Sequence, residues 1–250
     1  MSIIQINNLT FGYEGTQENV FEDISLNIDT NWKLGLIGRN GKGKTTLLHI
    51  LLGKYEFKGN ITTLVEFEYF PFSIKNKNRI TIDIIEEIIP QVEEWKMIRE
   101  LNLLKTDIEV LYRNFNTLSG GEQVKVLLAS LCVKENQFLL IDEPTNHLDK
   151  EAKQIIEEYL KNKKGYILVS HDRKLLDSTV DHILAINNHD IQLMNGNYTT
   201  WKENKDKEDK FEIKQNEKLK NEIVKLGQAA KETQNWSNKV EASKIGDRTC

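Results

Sequence analysis

Residues 33–48 leave the chain the least freedom: Lys-Leu-Gly-Leu-Ile-Gly-Arg-Asn-Gly-Lys-Gly-Lys-Thr-Thr-Leu-Leu. A short apolar run enters Gly38-Arg39-Asn40-Gly41-Lys42-Gly43-Lys44-Thr45 and leaves through His49-Ile50-Leu51-Leu52, which continues in helical style. This is a P-loop in the strand, loop, helix order that the motif requires. The glycines at 38, 41 and 43 let the backbone curl until successive N–H groups face a polyphosphate. The following helix turns the positive end of its dipole toward the same anion. In such a loop Lys44 reaches the β- and γ-phosphates and the Thr45 hydroxyl sits on Mg²⁺.

Other stretches point to the same chemistry. Phe138-Leu139-Leu140-Ile141 runs without alternation, as a strand buried on both faces does, and ends on Asp142-Glu143-Pro144. Beside a P-loop, Asp142 can hold Mg²⁺ through water, and Glu143 can orient or deprotonate the water that attacks the γ-phosphate. Leu118-Ser119-Gly120-Gly121-Glu122-Gln123 precedes Val126, Leu127, Leu128, Leu131 and Cys132 at helical spacing. Ser119 and Glu122 make a capping box, and the two glycines expose N–H groups as a further anion site. His171 follows the apolar strand 166–170, at the edge where α/β sheets place their ligands, and is a candidate γ-phosphate contact. Tyr13 lies on a loop where its ring can stack on a base, or stand as an ordinary exposed tyrosine.

Residues 3–9 and 21–28 alternate apolar and polar side chains and are predicted as an antiparallel edge beside the P-loop strand. Residues 60–70 read as strands ending at Phe70-Pro71-Phe72. Thr81 is the predicted N-cap of a helix with Ile84, Ile85, Ile88 and Ile89 on one face and Pro90 as its stop. Residues 91–104 and 107–112 continue in helical period, making the middle section a small helical insert, and 182–186 and 191–194 close the domain as strands. From Tyr198 charge dominates, and Leu219, Ile223, Leu226 and Ala230 form one thin apolar stripe. The predicted helix runs to about Gln234, on the order of 50 Å, and so thin a stripe calls for a partner helix.

Formal net charge is -4 with 29% charged residues, so the global field attracts no anionic partner and argues neither for nor against nucleic acid. Cys132 and Cys250 fit neither a disulfide framework nor a metal-ligand spacing, which predicts a reducing, cytoplasmic setting. No signal peptide pattern follows Met1, and no apolar stretch reaches the ~18 residues of a membrane span.

In this order Tyr13, residues 38–45, 118–123, 139–143, 146–149 and His171 resemble the full motif set of an ABC-type ATPase: A-loop, Walker A, signature, Walker B, D-loop and H-loop. The resemblance implies an α/β P-loop NTPase fold with an antiparallel β edge and a helical subdomain over about 75–133. The nucleotide-binding domain would span 1–194, and a helical interdomain linker would start at 195. It further implies ATP and Mg²⁺ as cofactors. Tyr13, Gly38, Arg39, Asn40, Gly41, Lys42, Gly43, Lys44, Thr45 and Thr46 would hold the nucleotide, Thr45 and Asp142 the metal, and Glu143 and His171 would be catalytic. In the family each ATP lies between the P-loop of one domain and the signature of another. Ser119, Gly120, Gly121 and Asp149 would therefore serve a second ABC domain, in cis or in trans.

Thr145-Asn146-His147-Leu148-Asp149, the Gly-Glu-Gln form of the signature and the Gly196-Asn197-Tyr198 boundary resemble the ABC-F branch. That branch has no membrane domains, joins two ATPase domains by a helical hairpin and acts on the ribosome. Residues 30–35 and 164–173 further resemble its Lsa- and Vga-type resistance members. Those protect the 50S subunit, at the exit-site region near the peptidyl-transferase centre, from lincosamides, streptogramin A and pleuromutilins. The alternative is the motor subunit of an ABC membrane transporter, against which Asn146-His147 and the charged helix count. Two departures stand out. Phe72 occupies the position of the family's Q-loop glutamine, leaving Ser73, water or a different mode of nucleotide sensing to replace it. The chain also ends inside the expected linker without a second Walker A. It is thus expected to hold two half-sites, as a fragment, a truncated product or a dimerising half.

Overall fold

The computed structural model describes residues 2–16, 18–39, 41–134, 136–187 and 190–246, and in its last helix the side chains of 198–223, 225–228 and 231. In chain order it runs β1 (Ile3–Phe11), β2 (Phe21–Asp29), β3 (Lys33–Gly38), α1 (Lys44–Leu51), β4 (Lys58–Thr62), β5 (Glu66–Phe70), α2 (Thr81–Ile88) and α3 (Glu94–Leu103). Two 3-10 turns, Ile108–Tyr112 and Phe115–Thr117, lead to α4 (Gly120–Val133), β6 (Gln137–Asp142), α5 (Lys150–Lys161) and β7 (Tyr166–Val169). Then come α6 (Arg173–Thr179), β8 (His182–Asn187), β9 (Asp190–Asn195) and α7 (Tyr198–Gly246).

The six-stranded sheet has the order β5-β6-β7-β3-β8-β9, parallel throughout except for β9, which returns antiparallel to β8. The pleat of β6 divides the core. Phe138 and Leu140 join Leu47, Leu48 and Leu51 of α1 on one side, and Leu139 and Ile141 join the helices α2 to α6 on the other. The antiparallel element is present, but as a separate sheet, β2-β1-β4, rather than an edge extending β3. Both edges of β3 are already taken by β7 and β8, and its inner residues are buried on both faces. β1 buries Ile4, Ile6, Leu9 and Phe11, the alternation shifting by one at a register break between Ile6 and Leu9, and Ile4, Ile6 and Leu9 meet α1 in the same core as Leu34 and Leu36 of β3. The helix that carries the P-loop thus shares one core with both sheets.

The helical insert differs from expectation in detail. Ile80, with φ -62° and ψ 140°, is the N-cap of α2, and Thr81 is the first helical residue. Thr81 is fully buried, and its hydroxyl and its N–H both donate to the Arg113 carbonyl, at 2.8 and 2.9 Å, so this polar side chain ties two segments together instead of capping. α2 stops at Ile88, just ahead of Pro90, because the residue before a proline is barred from helical geometry. Residues 108–112 close as a 3-10 turn, not an α-helix. At α4 the capping box is complete: Glu122 N–H donates to Ser119 Oγ at 3.2 Å, and Ser119 N–H to Glu122 Oε2 at 2.7 Å.

The chain divides into two compact units, Met1–Trp201 and Lys202–Cys250. α7 has 49 residues, about 73 Å of helix, and continues past the point where the apolar stripe fades. Helix extent follows backbone propensity and i,i+4 pairs such as Lys202–Asp206 at 2.7 Å, whereas the stripe marks only where apolar side chains recur. Phe211, Leu219, Ile223 and Leu226 are exposed; the Ala230 side chain and Cys250 lie outside the described residues. Among the described residues no helix is long and apolar enough to cross a membrane.

Candidate functional site

Because β3, β7 and β6 are parallel neighbours, their C-terminal ends share one edge, where α/β sheets bind ligands. A cleft of about 390 Å³ opens there, lined by Tyr13, Gly41, Gly43, Lys44, Thr45, Thr46, Asp142, Glu143, Val169 and His171. Gly43 shows why the loop needs glycine. Its φ is +103°, and a Cβ at this position would stand 2.7 Å from Val20 Cγ1 and 2.9 Å from Phe21 Cζ. The loop is therefore pressed onto the start of β2 as it enters α1. Lys44 Nζ donates to the Gly38 carbonyl at 2.9 Å, folding back over the loop. Tyr13, 43% exposed, pairs its hydroxyl with Thr46 Oγ1 at 2.7 Å and packs edge-on against Phe11 and Tyr55.

The acidic side is built from strand ends. Thr45 Oγ1 donates to Asp142 Oδ2 at 3.1 Å, and Tyr69 Oη donates to the same oxygen at 3.1 Å. Glu143 sits at φ +50°, a left-handed conformation that costs a non-glycine residue on the order of 1 kcal/mol or more and tends to be kept at functional sites. Its N–H donates to the Val169 carbonyl at 2.9 Å, and its Oε2 accepts the His171 N–H at 3.3 Å. Glu143 Oε1 is buried without a hydrogen bond, although His171 Nε2 stands 3.4 Å away, within reach of an ion pair when the imidazole is protonated. Burial pushes the Glu143 carboxyl above its ordinary pKa, and the His171 N–H acts against that rise. Buried carboxylate oxygen with no donor is what a water molecule or a hydrated cation would satisfy.

A hydroxyl beside two carboxylates is a hard oxygen donor set of the kind Mg²⁺ takes. Among the described residues no group of three or more His, Cys, Asp or Glu side chains forms a cage.

Not all predicted residues meet here. Gly38, Arg39 and Lys42 belong to the loop but do not line the cleft, Lys42 N–H donating to the Arg39 carbonyl at 3.2 Å; Asn40 lies outside the described residues. Ser119, Gly120, Gly121 and Asp149 stand away from the cleft at the N-termini of α4 and α5. Asp149 caps α5 by accepting the Ala152 N–H at 2.7 Å, and a Cβ on Gly120 would touch nothing within 4 Å. Phe72 packs against the core under the helical insert. Two residues without a sequence signal flank Asp142. Tyr69 hydrogen-bonds it, and His49 packs on the Tyr69 ring at 5.6 Å, its pKa lowered by burial and by Lys54 against the pull of Asp142.

The family model described as ABC transporter matches residues 21–146, half of the chain. The chain belongs to the ABC transporter family. This ABC domain is 29% identical over 248 residues to the ribosome protection protein VmlR of Bacillus subtilis (strain 168), covering 96% of the chain and 41% of VmlR. It is 28% identical over 211 residues to ABC transporter F family member 5 of Arabidopsis thaliana, covering 81% of the chain and 30% of that protein. It thus spans less than half the length of these curated relatives. In fold it is similar to a bacterial Atm1-family ABC exporter with ATP bound, with a TM-score of 0.64 at 19% identity over 78% of this chain and 39% of that one. The P-loop NTPase fold of the ABC ATPase type, with its antiparallel sheet and helical insert, is the fold observed, and the domain is of the ATP-hydrolysing ABC kind.

Proposed function

We propose that the chain is the ATP-binding half of an ABC-F-type protein that acts on the ribosome, at the 50S exit-site region, to protect it from lincosamides, streptogramin A and pleuromutilins in the cytoplasm. The observation that carries this reading is the extent of the likeness to VmlR. It runs over 96% of the chain, beyond the ATPase core and into the charged α7.

In this reading the backbone from Gly38 to Gly43 cradles the phosphates, and Lys44 leaves the Gly38 carbonyl for them. Tyr13 stacks on the base, and Thr45 and Asp142 hold the metal. Bound Mg²⁺ supplies neutralisation of the charge that develops on the β- and γ-phosphates. Glu143, with one carboxylate oxygen unpaired, takes the proton of the attacking water, and His171, hydrogen-bonded to that carboxylate through its backbone, contacts the γ-phosphate. Ser119, Gly120 and Asp149, exposed, and the half-buried Gly121, all away from the cleft, face the ATP of a second ABC domain. Closure of two such domains on ATP sets the shape of the helical linker, and hydrolysis releases it.

The test is sedimentation of the chain carrying Glu143→Gln with 70S ribosomes in ATP or ADP. Pelleting in ATP alone is the expected result. Association with membrane vesicles instead of ribosomes would overturn the ribosomal reading.

A further inference from the structure

Asp142 is held by more than the P-loop. Tyr69 lies on β5, paired in parallel with β6 in the register Tyr69↔Leu140, so its side chain leaves the sheet on the same face as Leu140 and, one pleat on, Asp142. Its hydroxyl and the Thr45 hydroxyl converge on one carboxylate oxygen, each at 3.1 Å. Thr45 and His49 are one turn apart on α1. The same helix face thus reaches Asp142 directly through Thr45, and through His49 packed on the Tyr69 ring at 5.6 Å. Lys54, just beyond α1, holds that ring from a second direction, its Nζ 5.1 Å from the centroid. At the end of the strand Phe72 offers no polar atom, and the Tyr69 hydroxyl is the polar group β5 sends into this corner.

We propose that Tyr69 is a positioning residue for metal binding: its hydroxyl occupies Asp142 Oδ2 and so presents Oδ1 to the water shell of the ion. The inference rests on the assignment of Mg²⁺ and ATP to the cleft. Two donors on one oxygen fix the plane of the carboxylate, and partners of a metal-binding group commonly govern affinity about tenfold or more.

The experiment follows the binding of a fluorescent ATP analogue to the full chain as Mg²⁺ is added. Wild type is compared with Tyr69→Phe, Asp142→Asn and the double variant. Tyr69→Phe keeps the ring against His49 and Lys54 and removes only the hydroxyl. It is expected to raise the half-saturating Mg²⁺ concentration about tenfold, with affinity in EDTA moving less than twofold. In the Asp142→Asn background the same change is expected to have no further effect, since the two residues act as one unit. An unshifted Mg²⁺ midpoint in Tyr69→Phe, or the same shift in both backgrounds, would overturn the proposal. A wild-type chain whose nucleotide affinity ignores Mg²⁺ would instead overturn the nucleotide reading on which the proposal stands.

Discussion

The Thr45 hydroxyl donates to Asp142 Oδ2 at 3.1 Å across 97 positions of sequence. That one contact makes the glycine loop and the paired carboxylates a single site, because it fixes the first turn of α1 against the end of β6. Glu143, the next residue, is carried with it, and its backbone is locked by the Val169 carbonyl on β7.

If Glu143 is the base proposed above, Glu143→Gln is expected to lower ATP turnover by about 10²–10⁴-fold while nucleotide remains bound, since the amide keeps the shape and cannot take the proton. Single-turnover hydrolysis against equilibrium binding separates the two. The pH dependence has a definite sign. Burial raises the Glu143 pKa above the ordinary carboxylate value of 4.5, and a base works deprotonated. Activity is therefore expected to fall, as the medium is acidified, at a higher pH than an exposed glutamate would give, and this acidic limb should vanish in the variant's residual rate.

Gly43→Ala and Gly41→Ala should differ although both positions have positive φ, +103° and +77°. At Gly41 the new methyl meets open space, and the cost is that of the left-handed conformation, about 1–2 kcal/mol. At Gly43 it meets Val20 and Phe21 at 2.7 and 2.9 Å, so overpacking adds about 1–3 kcal/mol more. Urea denaturation midpoints compare the two; equal losses would mean that the loop is not pressed onto β2.

Much of the cleft is legible in the sequence because its residues sit where strands end. Four apolar residues running into Asp142-Glu143, and an apolar strand running into His171, announce the ligand edge of a parallel sheet without any knowledge of pairing. Where pairing decides, sequence is silent. The alternation in β1 shows that one face is buried but not that β4, rather than β3, completes the sheet. Thr81 carries a capping side chain, yet the nearby Arg113 carbonyl claims it, and Ile80 takes the cap position. Tyr69 is one aromatic in a run of them, Phe67, Tyr69, Phe70 and Phe72, and only the register Tyr69↔Leu140 singles it out.

The helical insert is tied to α5 and the turn after it by Glu100, 1% exposed on α3. Its carboxylate receives Lys163 Nζ and Tyr159 Oη, both at 2.5 Å, and Arg99 Nη2 at 3.1 Å. Burial by itself would raise its pKa, but the hydrogen bonds from Lys163, Tyr159 and Arg99 prevail and hold it below the ordinary value. A depressed carboxylate stabilises the fold fully above its unfolded pKa of 4.5, and this contribution is lost as pH falls through the lower folded value. Lys163→Met is expected to cost about 3–5 kcal/mol at pH 7, the loss typical of breaking a buried pair. Without its lysine, Glu100 protonates more readily, so the gap from wild type should narrow toward pH 4. A gap independent of pH would mean that Lys163 acts through packing of its stem alone.

In the proposed reading, Tyr13 separates base recognition from phosphate recognition. Its hydroxyl is committed to Thr46 Oγ1 at 2.7 Å, and its ring stands nearly perpendicular to those of Phe11, at 5.1 Å, and Tyr55, at 5.8 Å. The ring lines the cleft. Tyr13→Ala is expected to weaken ATP binding by about 1–3 kcal/mol, the worth of one aromatic platform under a base, and to weaken GTP binding by a similar amount, because stacking reads no base edge. Tyr13→Phe keeps the face and should retain most of the affinity. Inorganic tripolyphosphate, which has no base, provides the control: its binding should be unchanged in Tyr13→Ala. If competition titrations show tripolyphosphate losing as much as ATP, Tyr13 serves the P-loop through Thr46 and not the nucleotide through its ring.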